Sequence, residues 1–245
     1  QAIASIMQQH HYPPALHKSL GSCLVASVLL INRLKISGEL SLQLEANDTI
    51  DLLVAKCNDQ LHVRGLAQWN QTADSQQLEQ DFFNGRLAIS ISTESANNPF
   101  QSIVELNGQT VEQALEHYFL QSEQLPTFIK LDIEQTLGSG LLLQRMPDSN
   151  MDNVIWHQFK EQMASLSPNA LSLSSEHLLA ALFPDHDIEL YESQPVQFQC
   201  SCSDKGMRLA ILTLGQKEAE KMLAESQTIA VTCEYCNTEY DMDFD

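Results

Sequence analysis

Four cysteines fall in the last 46 residues of this chain, as a C-x-C pair, Cys200 and Cys202, and a C-x-x-C pair, Cys233 and Cys236. No other feature restricts the fold as strongly. A terminal unit of about 50 residues has little apolar interior of its own and needs a staple. Two close cysteine pairs brought together by the chain supply four soft ligands in a tetrahedron, the arrangement that zinc takes in structural sites. The 30 residues between Cys202 and Cys233 leave room for two helices. We therefore expect one Zn2+ per chain, held by Cys200, Cys202, Cys233 and Cys236.

The other two cysteines, Cys23 and Cys57, sit alone. Cys23 shares an apolar helical face with Leu20, three residues earlier, and reads as a small buried hydrophobe. Three disulfides in a secreted protein would suit six cysteines, but not this crowding at one end. No basic stretch precedes an apolar one near the N-terminus, where the first Lys or Arg is Lys18. A reducing, cytoplasmic location is expected.

What the quartet does is open on spacing alone. Most four-cysteine sites only hold a small domain together. A thioredoxin-like exchange centre at Cys233-Glu-Tyr-Cys236 would need the first cysteine at a helix N-terminus. Here β-favouring Val231, Thr232, Tyr235 and Tyr240 surround the motif instead. A third use is a switch. Structural zinc contributes on the order of 10–16 kcal/mol in small modules, so oxidation of the thiolates would remove most of what keeps the terminal unit folded.

Charge narrows the partners. Lys and Arg number 13 against 32 Asp and Glu, a net charge of −19. Nucleic acid and anionic membranes both require a basic footprint, so neither is expected as a partner. The longest apolar run, Leu24 to Ile31, is interrupted by Ser27 and followed by Asn32 and Arg33. It is short of the roughly 20 residues that a membrane span needs.

Patterning divides the chain into three parts. Residues 1–147 read as an α+β core domain with mixed or antiparallel sheets and packed helices. A long helix is predicted from Pro14 to about Lys35, with Leu16, Leu20, Leu24, Val28 and Ile31 on one face. Strands are predicted over 39–46, 51–57, 61–69, 86–93, 100–106, 128–134 and 141–146. Asn107-Gly108 is a turn signal, and Thr110 with Gln113 is a capping-box pattern opening a second helix. Residues 148–190 read as a helical linker with two apolar stripes. One is Ile155, Phe159, Met163 and Leu166; the other is Leu178, Leu179, Leu182 and Phe183, ended by Pro184. Such short helices are marginal alone and must dock. We expect them to lean on the terminal unit and to expose Ile155, Phe159, Leu178, Leu182 and Phe183 when it unfolds. Residues 191–245 read as the small C-terminal zinc-binding domain, with helices near 205–212 and 216–225, the latter carrying Ala219, Met222 and Leu223 inward. A strand from Thr228 and a return from Tyr240 to Phe244 complete it.

At this point the chain resembles a known family, the redox-regulated heat-shock protein 33 chaperones, from about His11 onward. The most specific match is Phe198-Gln-Cys-Ser-Cys-Ser203 with Cys233-Glu-Tyr-Cys236. Val63-Arg64-Gly65, Tyr118-Phe-Leu-Gln-Ser-Glu-Gln-Leu-Pro-Thr127 and Gly140-Leu-Leu-Leu-Gln-Arg-Met-Pro147 follow the family in order. The resemblance implies a cytoplasmic holdase without ATPase activity, zinc-bound and inactive when reduced. It implies activation by oxidation to the disulfides Cys200–Cys202 and Cys233–Cys236, dimerisation on activation, and binding of unfolded client proteins during oxidative and heat stress. The sequence departs from the family where Asn237 stands for a glycine after the last cysteine. Asn tolerates left-handed φ, so the turn is expected to survive.

No catalytic residue is assigned and no enzymatic activity is expected. The chain has no P-loop, Rossmann glycine pattern or H-E-x-x-H. Ser139 between glycines lacks a nucleophile-elbow context and reads as a turn. His10-His11 reads as a surface or capping pair, and Trp69 and Trp156 as packing residues. Arg64-Gly65, inside an apolar strand, fits either a structural salt bridge or a bulge. Besides the redox-switched chaperone, a zinc-stabilised protein-interaction adaptor and a thiol oxidoreductase remain as function classes.

Overall fold

The alternation predicted for residues 39–46 places Leu40, Leu42 and Leu44 on a buried face of β1 (Gly38–Glu45). This strand lies inside a six-stranded sheet in the order β5-β4-β1-β2-β3-β8. Its other members are β2 (Ile50–Asn58), β3 (His62–Trp69), β4 (Arg86–Thr93), β5 (Phe100–Glu105) and β8 (Gln197–Phe198). All pairings among β1 to β5 are antiparallel, whereas β8 runs parallel to β3, so the sheet is mixed. The computed structural model describes residues 1–34, 36–46, 48–93, 98–147, 152–213 and 229–242.

The long helix forms as predicted, as α2 (Pro14–Leu34), after a short α1 (Ala2–Met7). By length and composition α2 could cross a membrane, a longer apolar stretch than Leu24–Ile31 suggests, yet half of it is buried inside the protein. It packs on β1, β2 and β3, and also on a hairpin of β6 (Thr127–Ile133) and β7 (Gly138–Gln144). Glycines set both approaches. A Cβ at Gly65 would stand 2.9 Å from the Val54 carbonyl oxygen and 3.1 Å from methyls of Leu20 and Leu24. A Cβ at Gly138 would collide with Ile3, and one at Gly140 would stand 2.5 Å from Val25.

This hairpin corrects one expectation. Ser139 is not in a turn: it pairs with Asp132 inside β7, and the reversal lies at residues 134–137. Gly138 and Gly140 are glycines because a helix lies against the strand there, not because the chain reverses.

Two helices brace the sheet. α4 (Val111–Gln121) carries the predicted capping box, with Thr110 and Gln113 satisfying each other's backbone N–H. Asn107 and Gly108 both take positive φ, 49° and 79°, as the turn signal requires. α3 (Ser75–Asn84) was not foreseen, although Asp74 and Gln77 form a capping box of the same kind. Asp81 on α3 accepts hydrogen bonds from the Thr49 and Ile50 amides (2.8 and 2.9 Å) and the Thr49 hydroxyl (3.1 Å), tying α3 to the start of β2.

The linker helices are α5 (Asn153–Ala164) and α6 (Ser175–Leu182), joined through a 3-10 turn at Pro168–Ser172. Among the described residues they pack on the β6–β7 hairpin and not, as expected, on the terminal unit. Met163, Leu171, Leu178 and Leu182 form a second buried cluster against Phe128, Leu141 and Leu143 of the hairpin. The physical reason is strand alternation. Ile129, Leu131 and Leu142 face the main core, which leaves Phe128, Leu141 and Leu143 as an apolar outer face that must be covered. Lys130 shares that outer face and donates to the carbonyls of Met163 (3.3 Å), Ala164 (3.1 Å) and Leu166.

Candidate metal centre

The first half-site follows β8. The Gln197 and Gln199 amides donate to the carbonyls of Leu61 (3.1 Å) and Val63 (3.2 Å), and Phe198 packs on the main core. Cys200 and Cys202 come next, before α7 (Asp204–Thr213). The second half-site is the turn of a hairpin, β9 (Ile229–Thr232) and β10 (Glu239–Met242). The Cys233 carbonyl accepts from the Asn237 amide (2.7 Å), and the Cys233 amide donates to the Thr238 carbonyl (2.9 Å). Asn237 takes φ 53°, the left-handed conformation expected of it. The helix predicted near 216–225, with Ala219, Met222 and Leu223, lies outside the described residues.

All four Sγ atoms lie within 4.8 Å of one another. Cys200 meets Cys233 at 3.6 Å and Cys202 meets Cys236 at 3.4 Å, both contacts running between half-sites. A tetrahedron with zinc–sulfur bonds of about 2.3 Å has edges of roughly 3.8 Å. The donor set therefore fits the ion, and all four thiols are free. A second layer supports them: the Tyr240 hydroxyl donates to Cys202 Sγ (3.1 Å), and the Thr238 hydroxyl lies 3.2 Å from Cys236 Sγ. Burial pushes the Cys200 and Cys233 thiols up. It acts on Cys236 too, but there the Thr238 hydroxyl and amide and the neighbouring thiols outweigh it and bring the group down to about 7. Cys23 and Cys57 stand elsewhere, fully buried in the main core.

Among the described residues, little else holds the terminal unit together. Its buried apolar cluster consists of Ile211 and Met242, with Met207, Val231 and Tyr240 partly buried around them. Polar contacts attach it to the core. Asn237 donates to the Gln9 carbonyl (2.6 Å), His10 Nε2 to the Glu234 carbonyl (2.7 Å), and Gln68 to the Glu234 carboxylate. Arg64 resolves as a salt bridge rather than a bulge, pairing with Glu39 at 2.7 Å. It also donates to Ser201 and lies 5.5 Å from the Tyr235 ring centroid. The sequence left Arg64 between a salt bridge and a bulge and made His10 part of a surface or capping pair, because their partners lie far away in the chain.

The five residues expected to meet clients are placed unevenly. Leu178 and Leu182 are buried on the hairpin. Phe159 and Phe183 are half-buried and meet edge to face at 4.9 Å. Ile155 is already 41% exposed, and Trp156 occupies the buried position beside it.

Together these features define a class: an α+β chain carrying a C-terminal centre of four convergent thiols. Comparison with known proteins agrees. The sequence model for the family described as Hsp33 protein matches residues 1–243. A protein of Nitrosococcus oceani named 33 kDa chaperonin is 35% identical over 98% of this chain and 83% of its own length. One of Shewanella sediminis with the same name is 34% identical over 99% and 85%. The crystal structure of the Thermotoga maritima 33 kDa chaperonin superposes with a TM-score of 0.80 at 21% identity, covering 99% of this chain and 87% of that one. The chain belongs to the Hsp33 family.

Proposed function

We propose that this chain is a cytoplasmic redox-regulated holdase, divided into a core domain (1–147), a linker (148–190) and a zinc-binding switch domain (191–245). The observation that carries the proposal is the convergence of four thiols from two half-sites in a unit whose described residues form only a small core. In the reduced form Cys200, Cys202, Cys233 and Cys236 hold Zn2+, which cross-links the half-sites and takes the place of a hydrophobic interior. On oxidation each adjacent pair, Cys200 with Cys202 and Cys233 with Cys236, gives two electrons to an oxidant such as peroxide, which leaves as water. No thiolate then remains to hold an ion. Adjacent pairing separates the half-sites, whereas a Cys200–Cys233 or Cys202–Cys236 bond would keep them tied.

Loss of the terminal unit reaches the linker along residues 184–196, which carry no helix or strand and join α6 to β8. Release of α5 and α6 bares Phe128, Leu141 and Leu143 as well as Phe159, Leu178, Leu182 and Phe183, an apolar patch suited to unfolded clients. Ile155 joins it only as a neighbour already at the surface. A second copy of the chain would cover part of the same patch, consistent with dimerisation on activation.

The test is to treat the reduced, zinc-loaded protein with peroxide at mild heat. Zinc release, the disulfide map and suppression of a client's thermal aggregation are then followed. Adjacent disulfides with suppressed aggregation are expected. Zinc release without any suppression would leave the chain a metal-stabilised adaptor and sink the proposal.

A further inference from the structure

Arg64 belongs to the core sheet, yet its guanidinium reaches both halves of the cysteine centre. One nitrogen donates to the hydroxyl of Ser201, which sits between Cys200 and Cys202. Its cationic carbon lies 5.5 Å from the ring centroid of Tyr235, which sits between Cys233 and Cys236. A third contact, the 2.7 Å ion pair with Glu39 on β1, fixes the group from the sheet side. We infer that Arg64 is a positioning residue for the metal centre: it clamps the two half-sites in register on the outer face of β3 and thereby raises the affinity of the quartet for its ion. This rests on the reading of the quartet as a zinc site.

Three physical points carry the inference. The side chain is only 15% exposed, and its Nε is buried without a partner among the described residues. A guanidinium so far from water, with one N–H already unpaired, depends on the contacts that it does make, so loss of either half-site makes the other contact less favourable. The two half-sites are thus coupled through one side chain before any ion binds. Next, the contacts use features that lysine lacks, a planar fork of donors and a flat face that stacks on an aromatic ring. Finally, four thiolates around Zn2+ carry a net charge of −2, and a fixed cation beside both half-sites favours the loaded centre over the empty one. Gln68 also reaches the terminal unit, but it touches only the second half-site, through Glu234. It lacks the bridging position.

The experiment measures zinc affinity of the full chain under reducing conditions, by competition with a chromophoric chelator. The variants are Arg64→Lys, Arg64→Met, Tyr235→Leu, Gln68→Ala and the double variant Arg64→Met/Tyr235→Leu. Arg64→Lys, Arg64→Met and Tyr235→Leu are each expected to weaken zinc binding about tenfold, the lower end for groups that support ligands. Gln68→Ala should stay near wild type, and the double variant should lose little beyond either single change. Should Arg64→Met fail to fold, Arg64→Lys and Tyr235→Leu carry the test, since both keep the sheet's interior untouched. Wild-type affinity in Arg64→Lys overturns the inference, as do strictly additive losses in the double variant. A wild-type chain that binds no zinc overturns the metal reading instead, so the two failures are distinct.

Discussion

The ammonium of Lys130 lies 3.1 Å from the carbonyl oxygen of Ala164 and donates to it, which fastens the end of α5 to the β6–β7 hairpin. A cation at a helix C-terminus satisfies carbonyls that have no partner within the helix. Lys130→Met keeps the apolar stem and removes the charge. We predict a local loss of about 1–2 kcal/mol, seen as amide exchange in α5 and α6 roughly tenfold faster in the reduced, zinc-bound protein. Unchanged protection in both helices would contradict this role for Lys130.

Asp81 supplies a pH dependence. Burial acts to raise its pKa, but the hydrogen bonds from Thr49, Ile50 and Asp48 prevail and leave it below the usual carboxylate value. A group whose folded pKa is depressed adds stability above its unfolded pKa, about 3.9, and loses that contribution as the pH falls through the folded value. Asp81→Ala should therefore cost about 2–3 kcal/mol at pH 7, with the gap from wild type closing below about pH 4. Denaturant unfolding at several pH values would check this, and a gap that stays constant down to pH 2 would refute it.

Gly65 tests how closely α2 must approach the sheet. Its missing Cβ leaves room for Leu20 and Leu24 beside the Val54 carbonyl. Gly65→Ala should lower stability by about 1–3 kcal/mol through forced displacement. A thermal midpoint equal to wild type would show that the helix yields at no cost.

The two core cysteines should be silent. Burial, with Glu112 nearby, pushes Cys23 up to about 12, and burial with Glu39 does the same for Cys57. At pH 8 a thiol with such a pKa is ionised to about one part in ten thousand. Alkylation of the native protein, read by mass spectrometry, should leave both unmodified. Cys23→Ala and Cys57→Ala should keep the response to peroxide, and loss of that response in either would give these thiols a part in the switch.

Metal removal should act on one end of the molecule. A strong chelator under reducing conditions would take away the proposed cross-link between half-sites, and among the described residues the Ile211 and Met242 cluster is too small to replace it. Amide protection in residues 229–242 should collapse while β1, β2 and α2 keep theirs. Equal loss in both regions would show that the terminal unit and the core unfold as one.

Much of the local chemistry was legible. The face of α2, the capping box at Thr110 and the left-handed Asn237 all follow from spacing and residue type. The four ligand-type cysteines were legible because their chemistry is rare, and the structure brings all four together. Docking was not legible. Leu141, Leu142 and Leu143 in succession mark a strand apolar on both faces, but nothing in that run says that α2 takes one face and the linker the other. Arg64 shows the same limit. Its strand was found, while its partners Glu39, Ser201 and Tyr235 come from three separate segments, and only tertiary structure assembles them. α3 was missed for a different reason: Asp74 and Gln77 carried a start signal that the polar surroundings obscured.

β8 contributes only two residues to the large sheet, yet it is the outermost strand on that side. Were it to depart, the carbonyls of Leu61 and Val63 would lose their donors and β3 would become the sheet's margin. A bare margin offers main-chain hydrogen bonds to any extended polypeptide, whatever its side chains. A departing β8 would thus open a foothold blind to sequence, adjoining the unit that carries the four thiols.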